Sequence, residues 1–175
     1  MHHTTSKSGF SYLSLILLVA TLALIAGVVA PRVAERQEES RDAQRLMDIA
    51  LVHEAIEQYH ADKGEYPTAK RNGGFGGWDV SHDGGFINAL HSEGYLADPI
   101  GDPINDDTYH FGYFVYNQGA YGCAGSGKFY VLGIRNFETT EVAVDNPGQF
   151  DCSGRNWGEE FDWITGGGAS DALAE

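Results

Sequence analysis

The sequence holds two cysteines, Cys123 and Cys152. Their spacing fits neither a zinc site nor a CxxC redox pair. Oxygen-bearing side chains cluster at Asp98, Asp102, Asn105, Asp106 and Asp107, and again at Asp145, Asn146 and Asp151. Such loops can hold Ca2+, and Asp102, Asn105 and Asp107 are the candidate ligands. No EF-hand spacing is present, and Asx-rich turns also form for backbone reasons alone. His53 and His60 lie seven residues apart on one helical face, where metal ligation competes with ordinary solvent-facing histidines. The glycine-rich stretch 71–85 has no GxGxxG opening a helix and no following Lys-Ser/Thr pair, so it is not a phosphate cradle. No GxSxG or HExxH arrangement occurs. An enzymatic role is therefore not expected, and Ca2+ is the one cofactor the residues suggest.

The elements that would position these residues are sorted along the chain by charge. The 175 residues carry a formal net charge of -14. Residues 1–30 contain one charged side chain, Lys7; residues 31–66 have 5 basic and 9 acidic residues; residues 67–175 have 5 basic and 16 acidic. So acidic a chain is ill suited to gripping nucleic-acid phosphates. The run Phe10–Ala30, FSYLSLILLVATLALIAGVVA, has no charge at all. At about 1.5 Å per residue it spans roughly 30 Å as a helix, the thickness of a bilayer core. Basic residues after it (Arg32, Arg36, Arg41, Arg45) are mixed with Glu35, Glu38, Glu39 and Asp42, so charge alone does not orient the segment outward. A secretory signal peptide and a plain anchor are the alternatives; Pro31 directly after Ala30 is a poor signal-cleavage context.

Lys7-Ser8-Gly9-Phe10, abutting the apolar run, resembles the prepilin peptidase site of type IV pilins and type II secretion pseudopilins. The resemblance implies cleavage after Gly9, N-methylation of Phe10 and retention of the apolar helix as the assembly element. Pro31 would be residue 22 of the mature chain, where many pilins carry a helix-kinking proline. Most family members have a Glu as the fifth mature residue, read as pairing with a neighbour's N-terminal amine. Here that position is Ser14, whose hydroxyl offers only a weaker hydrogen bond; a minor, tip-located pseudopilin also lacks the acid. Tyr59-His60-Ala61-Asp62-Lys63-Gly64-Glu65-Tyr66-Pro67 is similar to the Tyr-x-x-Asp-x-Gly-x-Tyr-Pro signature of major pseudopilins. Gly94-Tyr95-Leu96, Pro99, Asp102-Pro103 and then Phe137-Glu138 follow the family's order.

The periodicity predicts that the helix continues from Pro31 to about Lys63, with Ala43, Leu46, Ile49, Ala50, Ile56 and Tyr59 on its packed face. Arg41, Gln44, Arg45, Asp48, Glu54 and Glu57 are expected on its surface. Gly64 supplies a left-handed stop and Pro67 discourages a restart. Phe75 and Trp78 read as anchors of a surface loop, and Phe86–Leu90 as a short helix. Thr108–Asn117 and Lys128–Arg135 read as strands, with Glu141–Val144 a third. The expected fold is α+β and pilin-like, a long N-terminal helix packed on a small antiparallel sheet. Its expected parts are a leader (1–9), a transmembrane or filament-core helix (10–30), an amphipathic half (31–64), a head (65–165) and a flexible tail (166–175).

In a translocated chain the two cysteines would be oxidised. A Cys123–Cys152 bridge would stabilise by roughly 3–4 kcal/mol in the chain-entropy model. Some major pseudopilins carry one calcium in their C-terminal loops, which the resemblance extends to the aspartate-rich turns. The role implied is a structural subunit of a type IV pilus-like filament. A type II secretion pseudopilin, major or minor, and an unprocessed membrane-anchored binding domain are the alternatives. Implied partners are identical or related subunits, prepilin peptidase, an inner-membrane assembly platform and, before assembly, the membrane. The precursor would sit in the cytoplasmic membrane and the head would end outside the cytoplasm, in a surface or periplasmic filament.

Overall fold

The computed structural model describes residues 12–145, 148 and 150–168. The first helix, α1, runs from Tyr12 to Lys63 with Pro31 inside it. The chain divides into two compact units, one ending at Glu38 and the other beginning at Glu39. In the first unit the apolar side chains face outward: Leu24 is 73% exposed and Ile25 59%. Among the described residues, α1 is the helix long and apolar enough to cross a membrane. Thr21 donates its hydroxyl to the Leu18 carbonyl at 2.9 Å, so this hydroxyl is satisfied within the helix.

The second unit is α+β, as expected: the remainder of α1 lies on an antiparallel four-stranded sheet. The strands are β1 (Asp79–Val80), β2 (Phe111–Tyr116), β3 (Phe129–Ile134) and β6 (Trp163–Gly167), in spatial order β1-β2-β3-β6. A separate two-stranded ladder joins β4 (Asp151–Cys152) to β5 (Arg155–Asn156). Short helices α2 (Asn88–Ser92) and α3 (Thr140–Asp145) complete the unit. In the β2–β3 register, Phe111, Tyr113 and Val115 oppose Ile134, Leu132 and Tyr130. These residues share the face that packs against Ile49, Val52, Ile56 and Tyr59 of α1. The opposite face carries Tyr116, Phe129, Val131 and Ile164 beneath a second aromatic cluster that includes Trp78, Phe150, Trp157 and Phe161.

Several expectations are corrected. The buried stripe of α1 runs Asp42, Arg45, Ile49, Val52, Ile56, Tyr59, while Ala43 and Ala50 are exposed. Arg45, expected on the surface, is fully buried. The segment Glu141–Val144 is helical rather than a strand. Both sides of β3 are taken by β2 and β6, and Val144 is 70% exposed with no sheet face to cover it. Trp78 is no surface anchor; it is 7% exposed beneath the second cluster. Gly166 and Gly167, assigned to the tail, pair with Val131 and Tyr130 in β6. Residues 169–175 lie outside the described residues. The stop at Gly64 is present: its φ is 73° and its N–H donates to the His60 carbonyl at 2.8 Å.

One buried acid lies at the edge of the sheet. Asp79 is fully buried; its Oδ2 accepts N–H donors from Lys70 at 2.8 Å and Ile87 at 3.2 Å. Its Oδ1 has no partner among the described residues. Ile87 holds a left-handed backbone, φ 40°, which is strained for a β-branched residue, and Asp79 takes its N–H there. Burial pushes the Asp79 carboxyl up to about 6, against the opposing effect of the two backbone donors. The folded state therefore binds this proton more tightly than the unfolded chain. The contribution is present below the unfolded value and is lost as pH rises through about 6. We expect Asp79→Asn to match the wild type near pH 4 and to be the more stable protein at pH 7. Thermal unfolding of the full chain in detergent micelles at both pH values checks this. An equal deficit at both would show that the charge is not what costs stability.

Candidate assembly site

The C-terminal half of α1 is fixed to the sheet by its apolar stripe and, one turn earlier, by an ionic cluster. Positions 42 and 45 continue the buried stripe of α1 by one further turn, so an Asp and an Arg are carried under the loops where apolar residues would ordinarily go. The Arg45 guanidinium donates through Nε and Nη2 to the Asp102 carboxylate at 2.6 and 3.0 Å, a bidentate pair. Its Nη1 donates to Asp42 at 2.6 Å and to Glu138 at 2.8 Å. The Tyr109 ring centroid lies 4.9 Å from the guanidinium carbon. Arg41 adds a second fork on Glu138, with Nε at 2.7 Å and Nη2 on the other carboxylate oxygen. Asp42 in turn accepts the backbone N–H groups of Glu138 and Thr139 at 3.0 and 2.8 Å, and the Thr139 hydroxyl at 2.7 Å.

Burial alone would lower the Arg45 pKa, but Asp102, Glu138 and Asp42 more than offset it and the group is held above its ordinary value. Arg41, and then Arg45, hold the Glu138 carboxyl below the usual carboxylate range, against a burial effect of opposite sign. Three distant pieces of chain thus meet at one buried cation: α1, the Asp102-Pro103 turn and the Phe137-Glu138 segment. The sequence marked the last two as motifs, but nothing in their spacing showed that Arg45 joins them. The available signal was Asp42 and Arg45, three residues apart in phase with the apolar stripe.

The candidate calcium ligands are each engaged within the protein. Asp102 faces Arg45, and its Oδ1 also accepts from the Ile104 and Asn105 backbone at 2.8 and 3.3 Å. Asn105 exchanges hydrogen bonds with Ser81: its Oδ1 accepts the Ser81 hydroxyl at 2.7 Å and its Nδ2 donates to the Ser81 carbonyl at 3.3 Å. Asp107, 89% exposed at its side chain, lies 3.2 Å from His82 Nε2. Among the described residues no cluster of three His, Cys, Asp or Glu side chains is arranged to hold a metal ion. His53 lies 4.0 Å from Glu57, and His60 stacks on Tyr66 at 4.1 Å between ring centroids.

Cys123 and Cys152 are joined by a disulfide with a Cα–Cα distance of 5.0 Å. It ties the loop after β2 to the β4–β5 ladder, over the fully buried Trp157, whose Nε1 donates to the Tyr116 hydroxyl at 3.2 Å. Ser14 and Pro31 lie within α1, both exposed. Gly9 and Phe10 lie outside the described residues.

The chain is similar to proteins named type II secretion system core protein G. The Aeromonas hydrophila protein is 26% identical over 110 residues, 55% of this chain and 70% of its own length. The Escherichia coli K12 protein is 23% identical over 126 residues, 70% of this chain and 80% of its own length. The Vibrio cholerae O1 protein is 26% identical over 68 residues, 39% of this chain and 47% of its own length. No family model matches the chain, and no solved structure does.

Proposed function

We propose that the chain is a member of the pilin and pseudopilin family and a structural subunit of a type II secretion pseudopilus, processed after Gly9 and assembled through its N-terminal helix, a reading its similarity to the core G proteins supports. The observation that carries this reading is the outward-facing apolar half of α1, continuous with the helix that bears the head. Side chains as exposed as Leu24 and Ile25 need a non-aqueous neighbour. Before assembly that neighbour is lipid, which a helix of this length and composition spans. After assembly it is the same segment of adjacent subunits. The chain acts mechanically, not as an enzyme. The names of its relatives favour the secretion pseudopilus over a long surface pilus. The head then lies outside the cytoplasm, where the Cys123–Cys152 bridge is stable. Ser14 in place of the usual acid makes it an atypical subunit, whose helix pairs with neighbours by packing rather than by an intramembrane ion pair.

Processing is the direct test. Coexpression with a prepilin peptidase should remove residues 1–9 and leave a chain beginning at Phe10, read by intact mass. Gly9→Ala should stay at precursor length. An uncut wild-type chain, or equal cutting of Gly9→Ala, would overturn the reading.

A further inference from the structure

On the face of the sheet away from α1 there is a cleft of about 410 Å³. That volume lies in the range of small-ligand sites. The sequence opens it at two glycines. A Cβ at Gly112 would lie 2.9 Å from Phe161 and 3.3 Å from Trp78, and one at Gly133 would lie 2.8 Å from Phe161. The two rings therefore lie directly on the backbone of β2 and β3, their centroids 4.8 Å apart, with Phe114 5.6 Å from Trp78. They make an aromatic floor.

The polar groups at the cleft are not equally spent. Glu160 is taken by Arg155, through Nε at 3.0 Å and Nη2 at 2.6 and 2.9 Å, and Arg155 gives its Nη1 to the Tyr121 hydroxyl at 3.0 Å. Asp107 is turned to solvent and held by His82. Arg135 is different. Its Nη1 donates to the Glu160 carbonyl and its guanidinium lies 5.7 Å over the Phe161 ring, but among the described residues no carboxylate pairs with it. Trp78, beside it, is 7% exposed. What remains without a carboxylate partner among the described residues is thus one cation, beside tilted aromatic rings.

We propose that this cleft binds an aromatic carboxylate, its ring on Trp78 and Phe161 and its carboxylate on Arg135. The same chemistry is offered by a free aromatic acid and by a polypeptide ending in an aromatic residue. The site is separate from the assembly helix, so its failure would leave the filament reading untouched.

The test uses the full chain, 15N-labelled, in detergent micelles, with the Trp78 indole resonance assigned by Trp78→Phe. Indole-3-acetate and the tripeptide Gly-Gly-Trp are titrated beside their neutral amides. Either acid should shift the Trp78 indole signal, and its amide should bind at least tenfold more weakly. Arg135→Gln should weaken the acid at least tenfold, and Arg135→Lys should restore part of it. A response to indole-3-acetate assigns the site to small acids; a response to Gly-Gly-Trp alone assigns it to polypeptide ends. No shift from either acid, or equal binding of acid and amide, overturns the proposal. The acid–amide comparison decides on wild-type protein if Arg135→Gln does not fold.

Discussion

Arg45→Ala is expected to cost about 3–5 kcal/mol, the usual consequence of removing one partner from a buried ion cluster. That is a large part of the stability of a domain this size. The cost is not the lost attraction alone. Asp42 and Asp102, both with side chains 0% exposed, would lose their guanidinium partner, while Glu138, 8% exposed, would keep only Arg41. The pH dependence identifies the cause. In the wild type, Glu138 has a depressed pKa, so its contribution is present above the unfolded value and is lost as pH falls through the folded value. In the variant the orphaned carboxylates gain by protonation. Its deficit against wild type should therefore be widest near neutral pH and narrow in acid. Thermal unfolding of the full chain at pH 7 and pH 4 would show this. A deficit that is small, or the same at both, would mean the cluster is not what holds the loops to α1.

Cys123→Ser, alone or with Cys152→Ser, is the second large effect. The bridge spans a sequence separation of 29 residues. Releasing it gives the unfolded chain back loop entropy worth roughly 3–4 kcal/mol. The loss should be local in its first effect. The bridge holds down the β4–β5 ladder that covers Trp157, and Gly154 N–H donates to the Tyr121 carbonyl at 2.8 Å across the same contact. Reduction should therefore expose Trp157, giving a red-shifted emission at temperatures where the β2–β3 pairing still holds. Unchanged emission and midpoint after reduction would show that the aromatic cluster closes without the bridge.

The legible parts of this molecule were those encoded by local chemistry. The length of α1, its end at Gly64 and the strands at 111–116 and 129–134 rest on periodicity, a left-handed glycine and aromatic-rich runs. The cysteine pair was legible because compartment decides its state. What stayed hidden depended on contacts distant in sequence. A charged residue in an amphipathic stripe reads as surface, so Arg45 is expected in solvent although the phase of the helix points it inward, beside the equally buried Asp42. The aspartates of the 102–107 turn read as cation ligands because the arginine that takes Asp102 is 57 residues away. Glycine misled in the same way. Gly166 and Gly167 look like a loose end, yet a Cβ there would lie 2.4 Å from Phe150 and 2.6 Å from Glu57. Their smallness serves close packing, not freedom. Val142 and Val144 favoured a strand, but a strand needs a free neighbour, and β6 takes that place.

The position of the ion cluster along α1 has a mechanical consequence. Residues 42 and 45 lie in the first turns after Glu39, where the head-bearing unit begins. When a subunit is drawn along its helix axis, tension entering the head from the N-terminal side reaches these side chains before it reaches the apolar stripe at Ile49 and beyond. The helix would then be restrained in shear, by forked contacts to two separate loops, at the point of highest load. The Cys123–Cys152 bridge lies outside that load path. The bridge restricts the unfolded chain, whereas the arginine would resist shear between helix and loops.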